Sequence, residues 1–150
     1  MGTVREAVAV RLDPGRAFDL WADVSRWPTF VDGFHHPQRI DEEWPGPGAK
    51  LVWKSTPDGR GVVTERVLAS EHGRQLVTEV YEERCTGTPS VTFSPDEDGA
   101  LVDIEYEYEL EQGGPLRGVT DVLFIRRAQA DALRRTLRRF ATEAAEEAEL

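Results

Sequence analysis

The clearest pattern in the chain is a strict alternation of apolar and acidic residues across positions 102–111, within a predicted strand of residues 100–111. A period of two residues predicts a β-strand with one buried face and one solvated face. The apolar positions are Val102, Ile104, Tyr106, Tyr108 and Leu110, and the acidic positions are Asp103, Glu105, Glu107 and Glu109.

A second alternation, near the N-terminus, predicts another strand. Val4, Val8, Val10 and Leu12 share one parity and so form its apolar face.

Directly after this strand, the apolar residues recur at helical spacing. Asp13 followed by Pro14 is a typical helix start, and five apolar residues follow at helical spacing, namely Ala17, Phe18, Leu20, Trp21 and Val24. Pro28 interrupts the next segment, so residues 25–34 are predicted to form a second, shorter helix and a loop.

The middle of the chain is divided by turn signals rich in Gly, Pro and Asp. β-rich runs lie between them and after them, and their short connections predict an antiparallel meander. The predicted strands are residues 39–44, 50–56, 61–70, 75–85, 90–94 and 100–111.

Residues from 116 to about 147 are predicted to form one long C-terminal helix. Its apolar stripe consists of Val119, Leu123, Ala130, Leu133, Leu137, Phe140 and Ala144. Arg126 interrupts this stripe, which places a guanidinium on the side that faces the sheet. The outer face carries Arg127, Arg134, Arg135, Arg138 and Arg139, and we interpret it as a solvated surface, with a partner or membrane contact as the alternative.

Composition narrows the class of protein. The 150 residues carry a formal charge of −10, which disfavours nonspecific binding to nucleic acid. A chain of this length is expected to fold as a single domain without disulfides. The lone cysteine, Cys85, has no partner for an internal disulfide and is interpreted as a structural thiol. No apolar run reaches the roughly 20 residues that span a bilayer, so we expect a cytoplasmic protein without integral membrane association.

The order of elements and several local motifs resemble the START-like helix-grip superfamily, in its polyketide cyclase/dehydratase and lipid-transport branch. The resemblance lies in the opening strand that leads into Asp13 and Pro14, in residues 17–28, in the Gly-Pro-Gly at 46–48, and in the C-terminal stripe. It covers nearly the whole chain. Its motifs specify the fold better than the function, because members include carriers, receptors, cyclases and co-chaperones.

The resemblance implies an α+β helix-grip fold. In this fold a curved seven-stranded antiparallel sheet holds the long C-terminal helix, with two short helices after the first strand and an apolar cavity between sheet and helix. Such cavities bind lipids, polyketides, quinones or aromatic compounds in different members. The predicted ligand-binding residues are Phe30 and Phe34 near the mouth of the cavity, Trp53, Phe93 and Phe124 in its lining, and Tyr106, Tyr108 and Arg126 as polar groups.

Each of these residues also has a structural interpretation. The two tyrosines share the apolar face of their strand and could serve either as ligand contacts or as core residues with satisfied hydroxyls. Arg126 could hold a ligand carbonyl or carboxylate, or pair with a nearby Glu. The aromatic residues could be plain core, and Trp21 and Trp27 are predicted to pack the short helices on the sheet.

No compact catalytic signature is present in the sequence, and we expect neither a cofactor nor a metal ion. His35 and His36 are adjacent, so in an extended segment they should point to opposite faces and be poor ligands for a single metal. Glu65, Glu79 and Glu82 are candidates for acid/base chemistry, but the alternation around them does not predict which face each takes.

Two functions remain as the main alternatives. The first is noncatalytic binding or transport of a hydrophobic small molecule, and the second is a polyketide aromatase/cyclase or dehydratase that uses cavity Tyr, Arg or Glu side chains. A third and weaker alternative is a protein partner for the arginine-rich helix face. The sequence specifies neither the ligand nor the oligomeric state.

Overall fold

Seven strands and a long helix dominate the computed structural model, which describes residues 2–57, 59–110 and 119–150. In chain order the elements are β1 (Gly2–Val10), α1 (Pro14–Ala22), a 3-10 turn (Val24–Arg26), α2 (Trp27–Phe30), β2 (Phe34–Ile40), β3 (Lys50–Ser55), β4 (Val62–Glu71), β5 (Gln75–Tyr81), β6 (Cys85–Asp96), β7 (Gly99–Leu110) and α3 (Val119–Ala148). The predicted order of elements is confirmed.

The strands form one antiparallel sheet in the order β1-β7-β6-β5-β4-β3-β2. Strands β2 to β7 are a meander, and β1 joins its far end by pairing with β7. The alternating residues of β7 behave as predicted, because Val102, Ile104, Tyr106 and Tyr108 are buried while Glu105 is exposed. The apolar face of the sheet therefore forms one wall of the core.

The short helices between β1 and β2 begin where their polar caps predict. The Asp13 side chain accepts a hydrogen bond of 2.8 Å from the backbone N–H of Arg16, and Pro14 occupies the first turn of α1. Asp23 caps the 3-10 turn in the same way, through the backbone N–H of Ser25. These caps satisfy backbone donors that the first turn of a helix leaves free.

Helix α3 closes the core through the C-terminal half of its apolar stripe, where Leu137, Phe140 and Ala144 are buried. An ion-pair cluster holds this part of the helix to the 3-10 turn. Arg26 lies 2.6 Å from a Glu143 oxygen and 2.7 Å from a Glu147 oxygen. Among the described residues, no helix is long and apolar enough to cross a bilayer.

The structure corrects the predicted strand 39–44. The strand that precedes β3 is Phe34–Ile40, and residues 41–44 belong to the following turn region. Strand β2 lies at the edge of the sheet, six of its seven residues are exposed, and its pairing with β3 is interrupted by two register shifts. An exposed, bulged edge strand has no apolar alternation from which to predict it.

The predicted strands 75–85 and 90–94 are also wrong in their bounds, because β5 ends at Tyr81 and β6 extends over Cys85–Asp96. The connecting residues 82–84 contain neither glycine nor proline, the usual turn signals. Gly87 and Pro89, which resemble a turn in the sequence, instead lie within β6.

The predicted helical stripe holds only in part. Leu123 is 60% exposed, whereas the later stripe residues face the core. The predicted start at residue 116 lies outside the described residues. Three arginines of the predicted basic face pair with acidic groups of the same chain: Arg134 with Glu6 and Asp131, and Arg135 and Arg139 with Asp32.

Candidate functional site

A cavity of about 110 Å³ lies between the concave face of the sheet, the short helices and α3. The chain contains four tryptophans, and all of them line this cavity: Trp21, Trp27, Trp44 and Trp53. Aliphatic side chains of the central strands and of α3 complete the apolar wall, including Leu76, Val80, Val91, Ile104 and Leu133. The cavity is therefore an aromatic chamber with a few polar groups.

Hydrogen bonds from the indoles fix the orientation of three of these tryptophans. Trp27 Nε1 donates to the carbonyl of Trp21 at 2.8 Å, and Trp44 Nε1 donates to the carbonyl of Ala22 at 2.9 Å. Trp53 Nε1 donates to a side chain, the Oε2 atom of Glu65, at 2.7 Å. With its N–H directed at a fixed acceptor, each of these rings presents apolar surface to the cavity.

Glu65 is the most deeply buried acidic group of the cavity, with only 8% of its surface exposed. It lies on β4 between Val63 and Val67, which face the same side. Besides Trp53, it accepts a hydrogen bond of 3.3 Å from the Thr78 hydroxyl. Burial raises the pKa of Glu65 because a carboxylate loses hydration there, and the Trp53 hydrogen bond opposes this effect in part.

A partly buried ion pair lies beside Glu65. Arg60 Nε is 3.8 Å from Glu82 Oε2, and the guanidinium carbon of Arg60 lies 5.7 Å from the centre of the Trp53 ring. Arg60 also donates to the backbone carbonyl of Asp32 at 3.4 Å. Burial raises the pKa of Glu82, and the charge of Arg60 acts in the opposite direction.

Tyr106 contributes a phenolic hydroxyl to the cavity wall, and its ring packs against Gly87. A Cβ atom on Gly87 would lie 2.4 Å from the Tyr106 ring, so only glycine fits beneath it. The ring also stacks on Tyr108 with 5.6 Å between centroids, and its hydroxyl oxygen lies 3.7 Å from the Cys85 sulfur. Burial raises the pKa of Tyr106, so its hydroxyl remains protonated at neutral pH.

Residues 1–145 match the family described as polyketide cyclase / dehydrase and lipid transport. The chain belongs to this family. The match covers the strands, the short helices and most of α3, and so includes every residue of the cavity wall. No curated protein sequence matches the chain.

Solved structures agree with this family's fold. The di-domain ARO/CYC StfQ from the steffimycin biosynthetic pathway is 16% identical with a TM-score of 0.78, and the alignment covers 99% of this chain and 52% of that one. A START superfamily protein from Mycobacterium smegmatis is 13% identical with a TM-score of 0.76 over 95% and 96% of the two chains. Protein CV1439 from Chromobacterium violaceum is 16% identical with a TM-score of 0.70 over 95% and 96%. These three structures and the present chain share the helix-grip fold.

Of the eight predicted ligand-binding residues, the structure places two, Trp53 and Tyr106, in the cavity wall. Phe30 and Phe34 are buried behind the tryptophans rather than at a mouth, because Phe30 packs on Trp21 and Phe34 packs on Trp27. The other two buried aromatics of the prediction also lie outside the wall: Phe93 packs on Phe18 and Tyr108 stacks on Tyr106.

The expected positions of Phe124 and Arg126 are wrong. Phe124 is 72% exposed and Arg126 is exposed as well, so neither side chain lines the cavity. Ile125 and Ala130 of α3 already pack against buried residues, whereas Val122 and Leu123 are exposed. The extrapolation of one helical stripe along the whole segment therefore assigned Leu123 and Arg126 to the wrong environment.

The sequence interpretation missed several groups in the wall. Trp21 and Trp27, predicted only to pack helix against sheet, also line the cavity, as do Arg60 and Thr78. Glu65 could have been assigned to the inner face, because it shares the parity of the apolar residues on either side of it. By contrast, Glu79 faces outwards, where it pairs with Arg66 of β4.

The two adjacent histidines do not diverge as expected. The Nδ1 atoms of His35 and His36 lie 2.6 Å apart, and both side chains are exposed on β2. The register shift between Phe34 and His36 breaks the regular pleat there, so neighbouring side chains no longer point to opposite faces. Within the described ranges, no cluster of three or more metal-ligating side chains is present.

Proposed function

We propose that this protein binds a hydrophobic, ring-containing small molecule in the tryptophan-lined cavity. The observation that carries the proposal is the convergence of all four tryptophans on one cavity. Small-molecule sites are typically apolar and aromatic with a few convergent polar groups. The family description, which names polyketide chemistry and lipid transport, supports a hydrophobic ligand.

The size of the cavity favours one ring over a long chain. Its volume of about 110 Å³ is below the range of about 300–1,000 Å³ that is common for drug-sized ligands. An engineered apolar cavity of about 150 Å³ holds benzene. Burial of about 250 Å² of apolar ligand surface contributes about 6 kcal/mol of favourable free energy. After the costs of association are subtracted, the expected dissociation constant lies in the micromolar to millimolar range.

Native mass spectrometry of freshly purified protein, followed by solvent extraction, tests this proposal without a guess at the ligand. We expect a hydrophobic adduct of low mass, or uptake of single-ring compounds when these are added. Ala132 lines the cavity and Ala128 is exposed on the same helix, so Ala132→Phe should abolish uptake while the matched control Ala128→Phe retains it. Equal uptake by the two variants would refute binding in this cavity.

A second candidate function is polyketide cyclisation or dehydration. It is favoured by the presence of a buried carboxyl group, Glu65, and a buried hydroxyl group, Tyr106, in the same cavity wall. Burial raises the pKa of Glu65 from its ordinary acidic range towards neutral pH, as a general acid requires, and the protonated Tyr106 hydroxyl can donate a hydrogen bond to a substrate carbonyl. An enzyme of this kind gains most of its effect from holding a reactive chain near its attack geometry.

Reconstitution with a polyketide synthase distinguishes this candidate from simple binding. If the protein is a cyclase, its addition should change the spectrum of products, and Tyr106→Phe or Glu65→Gln should reduce the change by about 100-fold or more. The exposed residues Tyr81 and Glu105 provide matched controls, Tyr81→Phe and Glu105→Gln. Identical products with and without the protein would exclude the candidate.

A further inference from the structure

Two side chains of the cavity wall hydrogen-bond to Glu65, whereas Tyr106, Gln129 and Thr136, which also line the cavity, make no hydrogen bond to it in the part of the chain that the structure describes. Trp53 of β3 and Thr78 of β5 contact its carboxyl group, while Arg60 and Glu82 form a separate ion pair nearby. Within the part of the chain that the structure describes, no basic side chain forms an ion pair with Glu65. The hydrogen-bond partners of the Glu65 carboxyl group are thus neutral, and the cavity around it is largely apolar.

We propose that Glu65 determines the specificity of the cavity by donating a hydrogen bond to a neutral oxygen acceptor, such as a ketone carbonyl, on a ring-containing ligand. This inference rests on the proposed function, because it needs a ligand in the cavity. It adds the chemical class of that ligand: an aromatic or cyclic ketone or a related carbonyl compound, rather than a plain hydrocarbon or an amine.

The hydrogen-bond roles around Glu65 leave one donor position for such a ligand. An indole N–H only donates, so Glu65 Oε2, which receives the Trp53 bond, acts as an acceptor. The proton of the neutral acid then lies on Oε1. The Thr78 hydroxyl donates to Oε1 at 3.3 Å, and a protonated Oε1 can still accept this bond through a lone pair, so the Oε1 proton is left for a ligand.

A cationic ligand fits the same surroundings less well. The guanidinium of Arg60 already lies over the Trp53 ring, where an ammonium group would gain its cation–π contact. Glu82, the neighbouring acid, is also already paired with Arg60. An amine would have to displace this arrangement and ionise a buried carboxyl group, and both steps weaken its binding.

Three probes of nearly equal size separate the possibilities: acetophenone, its isostere α-methylstyrene, and α-methylbenzylamine, which is an ammonium ion at neutral pH. Tryptophan fluorescence of the intact protein reports binding, since every tryptophan lines the cavity. We expect acetophenone to bind about tenfold more tightly than α-methylstyrene, as one buried hydrogen bond allows, and the ammonium probe to bind most weakly.

Two substitutions test whether the Glu65 side chain causes the preference for acetophenone over α-methylstyrene. Glu65→Gln keeps an N–H donor and should retain the preference for acetophenone, whereas Glu65→Leu removes the donor and should make the two neutral probes equal. The exposed control Glu105→Leu should behave as the unmodified protein. Thermal melting curves of all variants establish that they are folded at the temperature of the titrations.

The outcomes distinguish this inference from the proposed function. If α-methylstyrene and acetophenone bind equally well, if the preference survives Glu65→Leu, or if the ammonium probe binds most tightly, the role of Glu65 is refuted while the cavity remains a binding site. If no probe binds up to its solubility limit, the proposed function fails and the inference fails with it.

Discussion

Trp53 and Glu65 form a diagonal pair across two adjacent strands, joined by a hydrogen bond of 2.7 Å. Trp53 lies opposite Val63 in the β3–β4 register, and Glu65 is two residues further along β4 on the same face. Diagonal neighbours of this kind are within reach of long aromatic side chains. The pair therefore joins one of the tryptophans of the cavity wall to the buried carboxyl group of the same wall.

The first prediction concerns the energy of this pair. Trp53→Phe removes the indole donor and leaves a smaller ring, so we expect the free energy of unfolding to fall by about 2 kcal/mol. A double-mutant cycle with Glu65→Leu, measured by urea unfolding, should give a coupling energy of about 1 kcal/mol. Strictly additive effects of the two substitutions would show that the hydrogen bond contributes nothing to stability.

The second prediction is a pH dependence of stability. Because burial raises the pKa of Glu65 above its ordinary value of 4.5, the folded protein holds this proton more tightly than the unfolded chain. The resulting stabilisation is complete below pH 4.5 and is lost as the pH rises through the folded-state pKa. We expect the free energy of unfolding to decline over this window less steeply in Glu65→Gln than in the unmodified protein.

Urea unfolding at several pH values provides the measurement for this second prediction. Glu82 also has a raised pKa and contributes a decline of the same sign, which remains in the variant. Asp32 has a pKa lowered by its hydrogen bond with Arg135, so its contribution is lost only as the pH falls below about 3.8, outside the window of Glu65. Parallel pH profiles for Glu65→Gln and the unmodified protein would contradict the prediction.

The third prediction concerns the packing of the Tyr106 ring against Gly87. Gly87→Ala places a methyl group within 2.4 Å of the ring, and the Tyr108 ring stacked on Tyr106 limits its escape. We expect a loss of about 1–3 kcal/mol in the free energy of unfolding, as is typical of an overpacked core. Thr92→Ala, at an exposed position of the same strand, is the control and should cost far less.

If Gly87→Ala lowers the free energy of unfolding because the new methyl group clashes with the Tyr106 ring, a smaller side chain at position 106 should reduce the loss. The double variant with Tyr106→Leu should therefore be more stable than the sum of the two single effects predicts. Thermal unfolding of the four proteins measures this. An unchanged cost in the presence of Tyr106→Leu would assign the effect to the backbone of β6 instead.

The fourth prediction concerns the contact between α3 and the segment after α2. Asp32 accepts two hydrogen bonds of 3.0 Å from Arg135 and one of 3.3 Å from Arg139, and its backbone N–H donates to Thr136 at 2.9 Å. Both arginines are about half exposed, so we expect Asp32→Asn to cost about 1 kcal/mol or less.

Salt dependence makes this fourth prediction specific. The cost of Asp32→Asn should shrink further in 1 M NaCl, where surface charges are screened, while the cost of Trp53→Phe should not. Unfolding curves at low and high salt supply the comparison. A cost of several kcal/mol that is independent of salt would indicate that the carboxylate has a structural role beyond these ion pairs.

The sequence was sufficient to predict the order of elements because the decisive signals are local. The Asp13 cap, the proline of α1 and the alternation of β7 each reflect a preference within a few residues. The hairpin at 82–84 and the edge strand β2 could not be predicted in this way. Their positions depend on pairing with neighbouring strands, which compensates for a turn without glycine and for a strand without apolar alternation.

The site was harder to predict than the fold, because a cavity depends on which side chains converge in three dimensions. Tyr106 was predicted from the face of its strand and Trp53 as an aromatic residue of the lining, but Trp44 lies in a turn region whose position only the folded chain defines. Phe124 and Arg126 were misplaced because helical periodicity predicts a stripe without showing where along the helix the stripe meets the sheet.

Fluorine NMR of protein labelled with 5-fluorotryptophan is the most direct test of ligand binding in the cavity. Four resonances are expected, and single Trp→Phe variants assign them. Because all four indoles line the cavity, titration with acetophenone should shift every resonance, with the change at Trp53 abolished by Ala132→Phe and retained in Ala128→Phe. Resonances that stay unchanged up to the solubility limit of the probe would contradict the claim that this cavity accepts a ring-containing ligand.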